Sequence, residues 1–348
     1  MRRLVVALVF LLLPAFAYAH AAPSVRLPDG ASRETILAWI NGYRHNPDPD
    51  RVPVAIRSLT RLGLLTDPEG SGVYLGFLAG VIATSPNPDV LIAKLFPLAP
   101  ENHWAVVRAI AYSGAPDWQK LLQRAAVLMP GRRVMIEKFV AGQLPTLEQA
   151  PIEHDDTWGE KLHRQFTIAK YFSKPAPEVK LDLSPDVLDA LWGYYYATGS
   201  YRPLARIILM LRWSKDRDVL EKLTLGSMAK YTLAINSARG ADLLATLKWA
   251  ATEKQPDAVR PVLKEVIEAA ETVETTRLRS EALAAIDELK RKGPGSKRDL
   301  SLWAQAGQGA IAVGCIAAAV AGQVELGIPC VVGGAAASAG LQLWDGQK

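Results

Sequence analysis

The residues best suited to acid–base or metal chemistry lie together in the segment 153–163, which contains four acidic residues and two of the chain's five histidines. Glu160 and His163 are three residues apart, so on a helix they would share one face, which is the spacing that di-iron bundles use. Such sites need a second Glu-x-x-His motif and two further glutamates, and the sequence has no second copy. We therefore expect no metal site and no cofactor, and we interpret the acidic residues as an exposed linker that leads into a capped helix.

Other catalytic motifs do not occur in the sequence. It has no Gly-x-Ser-x-Gly motif to expose a nucleophilic serine, no Walker loop, and no Gly-x-Gly-x-x-Gly after a predicted strand. The glycines of 307–309 open a segment suited to helix packing rather than to binding phosphate. The sequence alone therefore predicts a protein that is not an enzyme.

One cluster of aromatic residues is a candidate binding surface. Aromatic side chains supply rigid contact area, and a groove that they line could hold a peptide or a glycan. The alternative is packing between helices, where every second tyrosine of a run must point inward. The cluster consists of Trp192, Tyr194, Tyr195, Tyr196, Tyr201 and Arg202.

These residues lie in the clearest predicted helix–turn–helix, residues 188–211, with its turn at 198–200. The spacing Trp192-Gly193-x-x-Tyr196 resembles the first helix of a tetratricopeptide repeat, in which a glycine lets the paired helix approach closely. The resemblance covers this one helix pair, and neighbouring pairs do not reproduce the spacing. It implies close helix packing at Gly193.

The remaining sequence is a series of short helical segments. A nearly all-apolar helix is predicted at 73–83 and another helix at 241–252. Asn87 and Pro88 predict the cap and first turn of a helix at 89–96. We expect about thirteen helices altogether. The predicted class is all-α, with serial antiparallel helix pairs in an α-solenoid or a stacked helical bundle. The predicted divisions are a signal peptide (1–19), a linker (20–31), an N-terminal helical lobe (32–142), a linker (143–157), a central helical-repeat lobe (158–292), a linker (293–303) and an apolar hairpin (304–344).

The N-terminus has the three parts of a secretory signal peptide. Two arginines precede the unbroken apolar run 4–13, and Ala17-Tyr18-Ala19 is a small-x-small cleavage motif. The apolar run is too short to span a bilayer, which needs about 20 residues. We expect export to the periplasm or cell envelope. The net charge of +5 includes Arg2 and Arg3, and what remains after their removal is too small to indicate a nucleic-acid partner.

The C-terminal segment 304–343 is apolar and rich in small residues, and Glu325 is its only charged residue. A small residue at every fourth position lines one face of a helix and lets another backbone come close. The pattern restarts after Pro329, which predicts a hairpin like a glycine zipper. We expect it to contact a membrane, the body of the same chain, or another protein copy or partner. The predicted packing row is Ala306, Ala310, Gly314, Ala318 and Gly322.

Both cysteines, Cys315 and Cys330, lie in this segment. An oxidising compartment would permit a disulfide between them. In a hairpin that turns at 325–329, however, their positions along the two helices differ by about 10 Å. A disulfide and two buried thiols are therefore both left open.

Together these features predict an exported helical-repeat protein that binds or scaffolds, with a protein partner or self-association and an apolar tail for docking. The alternative is an enzyme that acts on cell-envelope polymer through the acidic residues between Glu153 and Glu160. No nucleic-acid partner is expected.

Overall fold

The computed structural model describes residues 27–149 except Glu69, residues 184–272 except Arg217 and Asp218, and the single residue Ala284. Every regular element in these residues is helical, which confirms the all-α class. The α-helices are α1 (Arg33–Gly42), α2 (Val52–Arg61), α3 (Gly72–Thr84), α4 (Pro88–Lys94), α5 (His103–Tyr112), α6 (Trp118–Ala125), α7 (Arg133–Val140), α8 (Pro185–Thr198), α9 (Tyr201–Met210), α10 (Leu220–Arg239), α11 (Ala241–Thr252) and α12 (Arg260–Thr272). Several short 3₁₀ turns extend or connect them.

Local sequence explains where the helices begin and end. At the start of α4 the Asn87 side chain accepts a hydrogen bond from the amide of Val90, and Pro88 supplies the fixed φ of the first turn. At the end of α8, Gly199 has φ +64° and its amide donates to the carbonyl of Tyr195 at 2.7 Å. A glycine adopts this left-handed conformation without steric cost, so α8 stops there and α9 can begin two residues later.

Helix α3 lies at the centre of the core. Nearly all of its residues are buried, from Gly72 to Ile82, which confirms the prediction that this apolar helix is covered on most sides. Helices α5 and α8 both pack against it. Among the described residues, no helix is both long and apolar enough to cross a membrane.

The contact between α3 and α8 is the tightest in the described chain. A methyl group added at Gly76 would overlap the carbonyl of Ala190, and one at Gly193 would overlap the carbonyl of Val73. The two helix backbones therefore touch directly, and only glycine fits at these two positions. Gly72 and Gly80 continue the row on α3, facing Asp186 and Ala197 respectively.

This contact joins segments that are far apart in the sequence. Gly193 does permit a close approach between helices, as the tetratricopeptide resemblance implies, but the helix that approaches is α3 and not the neighbouring α9. Buried side chains from residues 27–147 and 187–269 form one hydrophobic cluster. Helices from both predicted lobes thus contribute to a shared core.

Candidate functional site

Three of the six predicted binding residues lie in the core. Trp192 is fully buried, and its indole Nε1 donates to the hydroxyl of Thr232 on α10 at 3.0 Å. The ring of Tyr196 stacks on it with a centroid distance of 5.6 Å, and Tyr195 meets it edge-on at 5.9 Å. These side chains hold α8 against its neighbours and present no surface to a ligand.

Tyr194 is half-buried, and its side chain reaches toward α5 rather than toward Trp192. Its hydroxyl donates to the backbone carbonyl of Ser113 at 2.8 Å, just after the end of α5. Burial raises the pKa of Tyr194 above its ordinary value. Tyr194 therefore links two helices by satisfying a carbonyl at the end of one of them.

Tyr201 and Arg202 lie at the surface at the start of α9, and the structure adds Trp249 of α11 to them. The rings of Tyr201 and Trp249 meet edge to face at a centroid distance of 5.0 Å, and half of Trp249 is exposed (50%). Burial raises the pKa of Tyr201 above its ordinary value, and the nearby Gln255 side chain offsets this in part. Gln255 itself donates from Nε2 to the carbonyl of Ala250 at 2.8 Å. We call Tyr201, Arg202 and Trp249 the aromatic surface, in which the ring of Trp249 packs against the tyrosine.

Arg202 is the most exposed member of the aromatic surface, because its side chain is 89% exposed. Its Nη1 lies 4.0 Å from a carboxylate oxygen of Glu148, and such an exposed pair contributes little to stability. Arg206, one turn further along α9, differs: it donates to the carbonyls of Leu147 and Glu148 at 2.6 and 2.7 Å. Arg206 is thus a structural residue, whereas the guanidinium of Arg202 can still meet a ligand.

Sequence reasoning did not find Trp249, because no other aromatic residue lies near it in the chain. A signal was present in α11, however. Its buried residues Leu243, Leu247 and Ala250 follow the spacing of one helix face. Trp249 falls outside that face, so the periodicity of α11 predicts an exposed tryptophan.

An ion pair positions α11 and so the tryptophan. Arg44, just after α1, donates from Nε and Nη2 to the two carboxylate oxygens of Asp242 at 3.0 and 3.2 Å. The guanidinium also lies 5.2 Å from the centroid of the Tyr195 ring. Burial alone would raise the pKa of Asp242, but the hydrogen bonds and the charge of Arg44 outweigh it and lower that pKa. Because Asp242 is two helical turns from Trp249, this bidentate pair fixes the aromatic surface on the body.

A second group of ionisable residues surrounds the first turn of α8. Burial raises the pKa of Asp186, and the hydrogen bond with Ser184 and the charge of Arg108 lower it only in part. Tyr112 lies in the same surroundings, and burial raises its pKa as well. These shifts arise where α8 is pressed against α3, so packing explains them without a reaction.

The other predicted sites cannot be compared with this geometry. The acidic segment 153–163, the packing row of 304–343, and both cysteines lie outside the described residues. Within the part of the chain that the structure describes, no group of three His, Cys, Asp or Glu side chains could hold a metal ion.

Comparison with known proteins adds nothing to this geometry: no family model, no curated protein and no solved structure matches the chain. The functional assignment therefore depends on the residues and their surroundings alone.

Proposed function

We propose that this protein is an exported, non-enzymatic helical scaffold that binds a protein partner through the aromatic surface of Tyr201, Arg202 and Trp249. The observation that carries the proposal is the half-exposed indole of Trp249, which the ring of Tyr201 meets edge to face. The evidence for export is the signal-peptide pattern of residues 1–19.

The residue types favour a protein over a small ligand. Trp, Tyr and Arg are the three residues that contribute most often to the centres of protein–protein interfaces. The rings of Trp249 and Tyr201 support each other, so little side-chain entropy is lost when a partner covers them. Arg202 adds a planar group with five donors at the edge of that surface.

The body that carries this surface is proposed to be a stacked helical bundle. Support comes from the α3–α8 contact, which joins helices more than a hundred positions apart, as bundles do and solenoids of strictly neighbouring repeats do not. Segment 304–343 is proposed to fold as a hairpin that docks on a membrane or on a protein, with its row of small residues as the packing face.

Photo-crosslinking tests the aromatic surface directly. A photoreactive phenylalanine analogue is placed at position 249 or, as a matched control, at position 62, where Leu62 is similarly exposed (41%) on α2's C-terminal end. We expect one discrete adduct in cells from position 249, none from position 62, and loss of the adduct when Arg202→Glu is added. The same adducts from both positions would show that Trp249 is not a binding residue.

A different variant distinguishes the proposed scaffold from the alternative, an enzyme that acts on cell-envelope polymer. The triple change Asp155→Ala, Asp156→Ala and Glu160→Ala removes the acidic side chains that such an enzyme would use. A scaffold should keep its melting temperature and its adduct at position 249. If the wild type released soluble fragments from purified cell-envelope polymer and the triple variant did not, the protein would be an enzyme.

The tail is tested by removing residues 299–348 and fractionating cells. Docking through the tail predicts that the full chain enters the membrane fraction or a larger assembly, and that the shortened chain does so less. If both proteins stay soluble and monomeric, the tail has no docking role.

A further inference from the structure

The connection between α6 and α7 exposes apolar side chains that the core does not need. Val127 is 81% exposed and Val134 is 67% exposed, and they lie on either side of the short 3₁₀ helix Pro130–Arg132. We call residues 126–135 the hairpin tip. An aliphatic side chain left in water forgoes the free energy that burial would give it, so both valines would gain free energy from contact with something apolar.

The hairpin tip is held in a fixed position. Met129 at its centre is fully buried, and Ile136 and Phe139 anchor the following helix in the core. Arg132 donates from Nη2 to the carbonyls of Pro100 and Glu101 at 3.2 and 2.9 Å. The two valines therefore project from a rigid base rather than from a loop that could fold them back.

Basic residues predominate in the sequence that forms the hairpin tip and its flanks, and one of them, Lys120, pairs with Asp117. No acidic residue occurs between Asp117 and Glu137, whereas this stretch contains Lys120, Arg124, Arg132 and Arg133. Arg124 is bound bidentately by Asp89, at 2.8 Å for each hydrogen bond.

Closer to the valines, Arg133 has only an exposed partner, Glu137, at 3.1 Å. Lys138, one turn after Val134, is exposed as well. Exposed pairs of this kind are weak and exchange readily for other anions.

From these features we propose that the hairpin tip binds the surface of a membrane that contains anionic phospholipids. The two valines would enter the boundary between headgroups and acyl chains, while Arg133 and Lys138 would meet phosphate groups of the headgroup layer. An acidic protein surface would also satisfy the cations, but the projecting aliphatic side chains favour the continuous apolar layer of a membrane. This surface is separate from the aromatic surface, so it adds a second contact to the proposed scaffold.

The test uses the mature full-length protein and vesicles of phosphatidylcholine, either alone or mixed with phosphatidylglycerol. We expect sedimentation with the mixed vesicles and a fall in the partition coefficient of about tenfold for Val127→Asp and for Val134→Asp. Leu62→Asp, which places the same charge on an exposed leucine elsewhere, should bind as the wild type does. Because segment 304–343 is present in every variant, any lipid contact of its own is the same in all of them.

Several results would overturn the assignment. Binding of Val127→Asp and Val134→Asp equal to that of the wild type would do so, and so would equal binding to both kinds of vesicle. Loss of binding in Arg133→Glu without loss in either valine variant would mean contact by charge alone, as with an acidic protein. Both valines are at the surface, so unchanged melting temperatures should show that the variants fold.

Discussion

Two tryptophans, each paired with a tyrosine, have opposite surroundings in this protein. Trp192 stacks on Tyr196 and is completely covered, whereas Trp249 meets Tyr201 edge to face and is half-exposed. The difference lies in what faces each pair. Helix α8 packs closely into the core because α3 presents glycines to it instead of larger side chains. Among the described helices, none covers the outer side of α11 in this way. Because the glycines of α3 let α8 come so close, most of the aromatic residues of α8 are buried and have a structural role.

The largest expected effect contrasts the two tryptophans directly. Trp192→Ala should lower the free energy of unfolding by about 3–5 kcal/mol, because it leaves a cavity and removes the indole donor from Thr232. Trp249→Ala should change it by about 0.5 kcal/mol or less while abolishing any partner contact at the surface. Urea unfolding of both variants measures the difference. Similar losses for the two would mean that Trp249 also supports the core.

A second contrast compares two glycines within helices. Gly76→Ala should destabilise the protein by about 2–3 kcal/mol, because its methyl group would overlap the carbonyl of Ala190 and force α3 and α8 apart. Gly42→Ala, at the end of α1, is the control, since no atom lies within 4 Å of the position its methyl group would take. That change should be neutral or slightly stabilising by helix propensity. Thermal unfolding would contradict this account if the two variants lost equal stability.

These contrasts show which parts of the fold the sequence could predict. The bounds of α11 were predicted as residues 241–252, and the cap at Asn87 was predicted as well, because periodicity and capping are local properties. The partner of α8 was not predicted. The Trp192-Gly193 spacing shows that some helix comes close, but one sequence does not say which helix does so.

The glycine row of α3 has the same sequence pattern as the C-terminal segment. Gly72, Gly76 and Gly80 share the four-residue spacing of small residues that predicts close helix packing in 304–343. In α3 that spacing marks an interface within the body. Only part of the aromatic surface could be predicted. Tyr201 and Arg202 follow an aromatic run that is visible in the sequence, whereas Trp249 joins them only through its ring contact with Tyr201 in the folded chain.

A smaller effect is expected at the ion pair between Arg44, just after α1, and Asp242 of α11. Arg44→Leu should cost about 1–2 kcal/mol, since it removes a bidentate pair whose arginine is largely buried. Arg133→Leu, whose partner Glu137 is exposed, is the control and should cost about 0.5 kcal/mol or less. The folded-state pKa of Asp242 is lowered, so the pair stabilises the protein above the ordinary pKa of 3.8 and loses this contribution as the pH falls through the folded value. The free energy of unfolding of Arg44→Leu should therefore fall less in acid than that of the wild type, because the variant lacks this contribution from the start.

The smallest effect has the opposite pH dependence and belongs to Asp186 at the α3–α8 contact. Burial raises its pKa above the ordinary value of 3.8, so folding favours the protonated carboxyl, and stability is lost as the pH rises through the folded value. Asp186→Asn keeps the shape without the charge and should be more stable than the wild type at neutral pH, with the advantage disappearing in acid. The charge of Arg108 keeps the gain small. Urea midpoints across the pH range measure this gain. If the variant were less stable than the wild type at neutral pH, the attraction between the carboxylate and Arg108 would stabilise the protein by more than burial of the charge destabilises it.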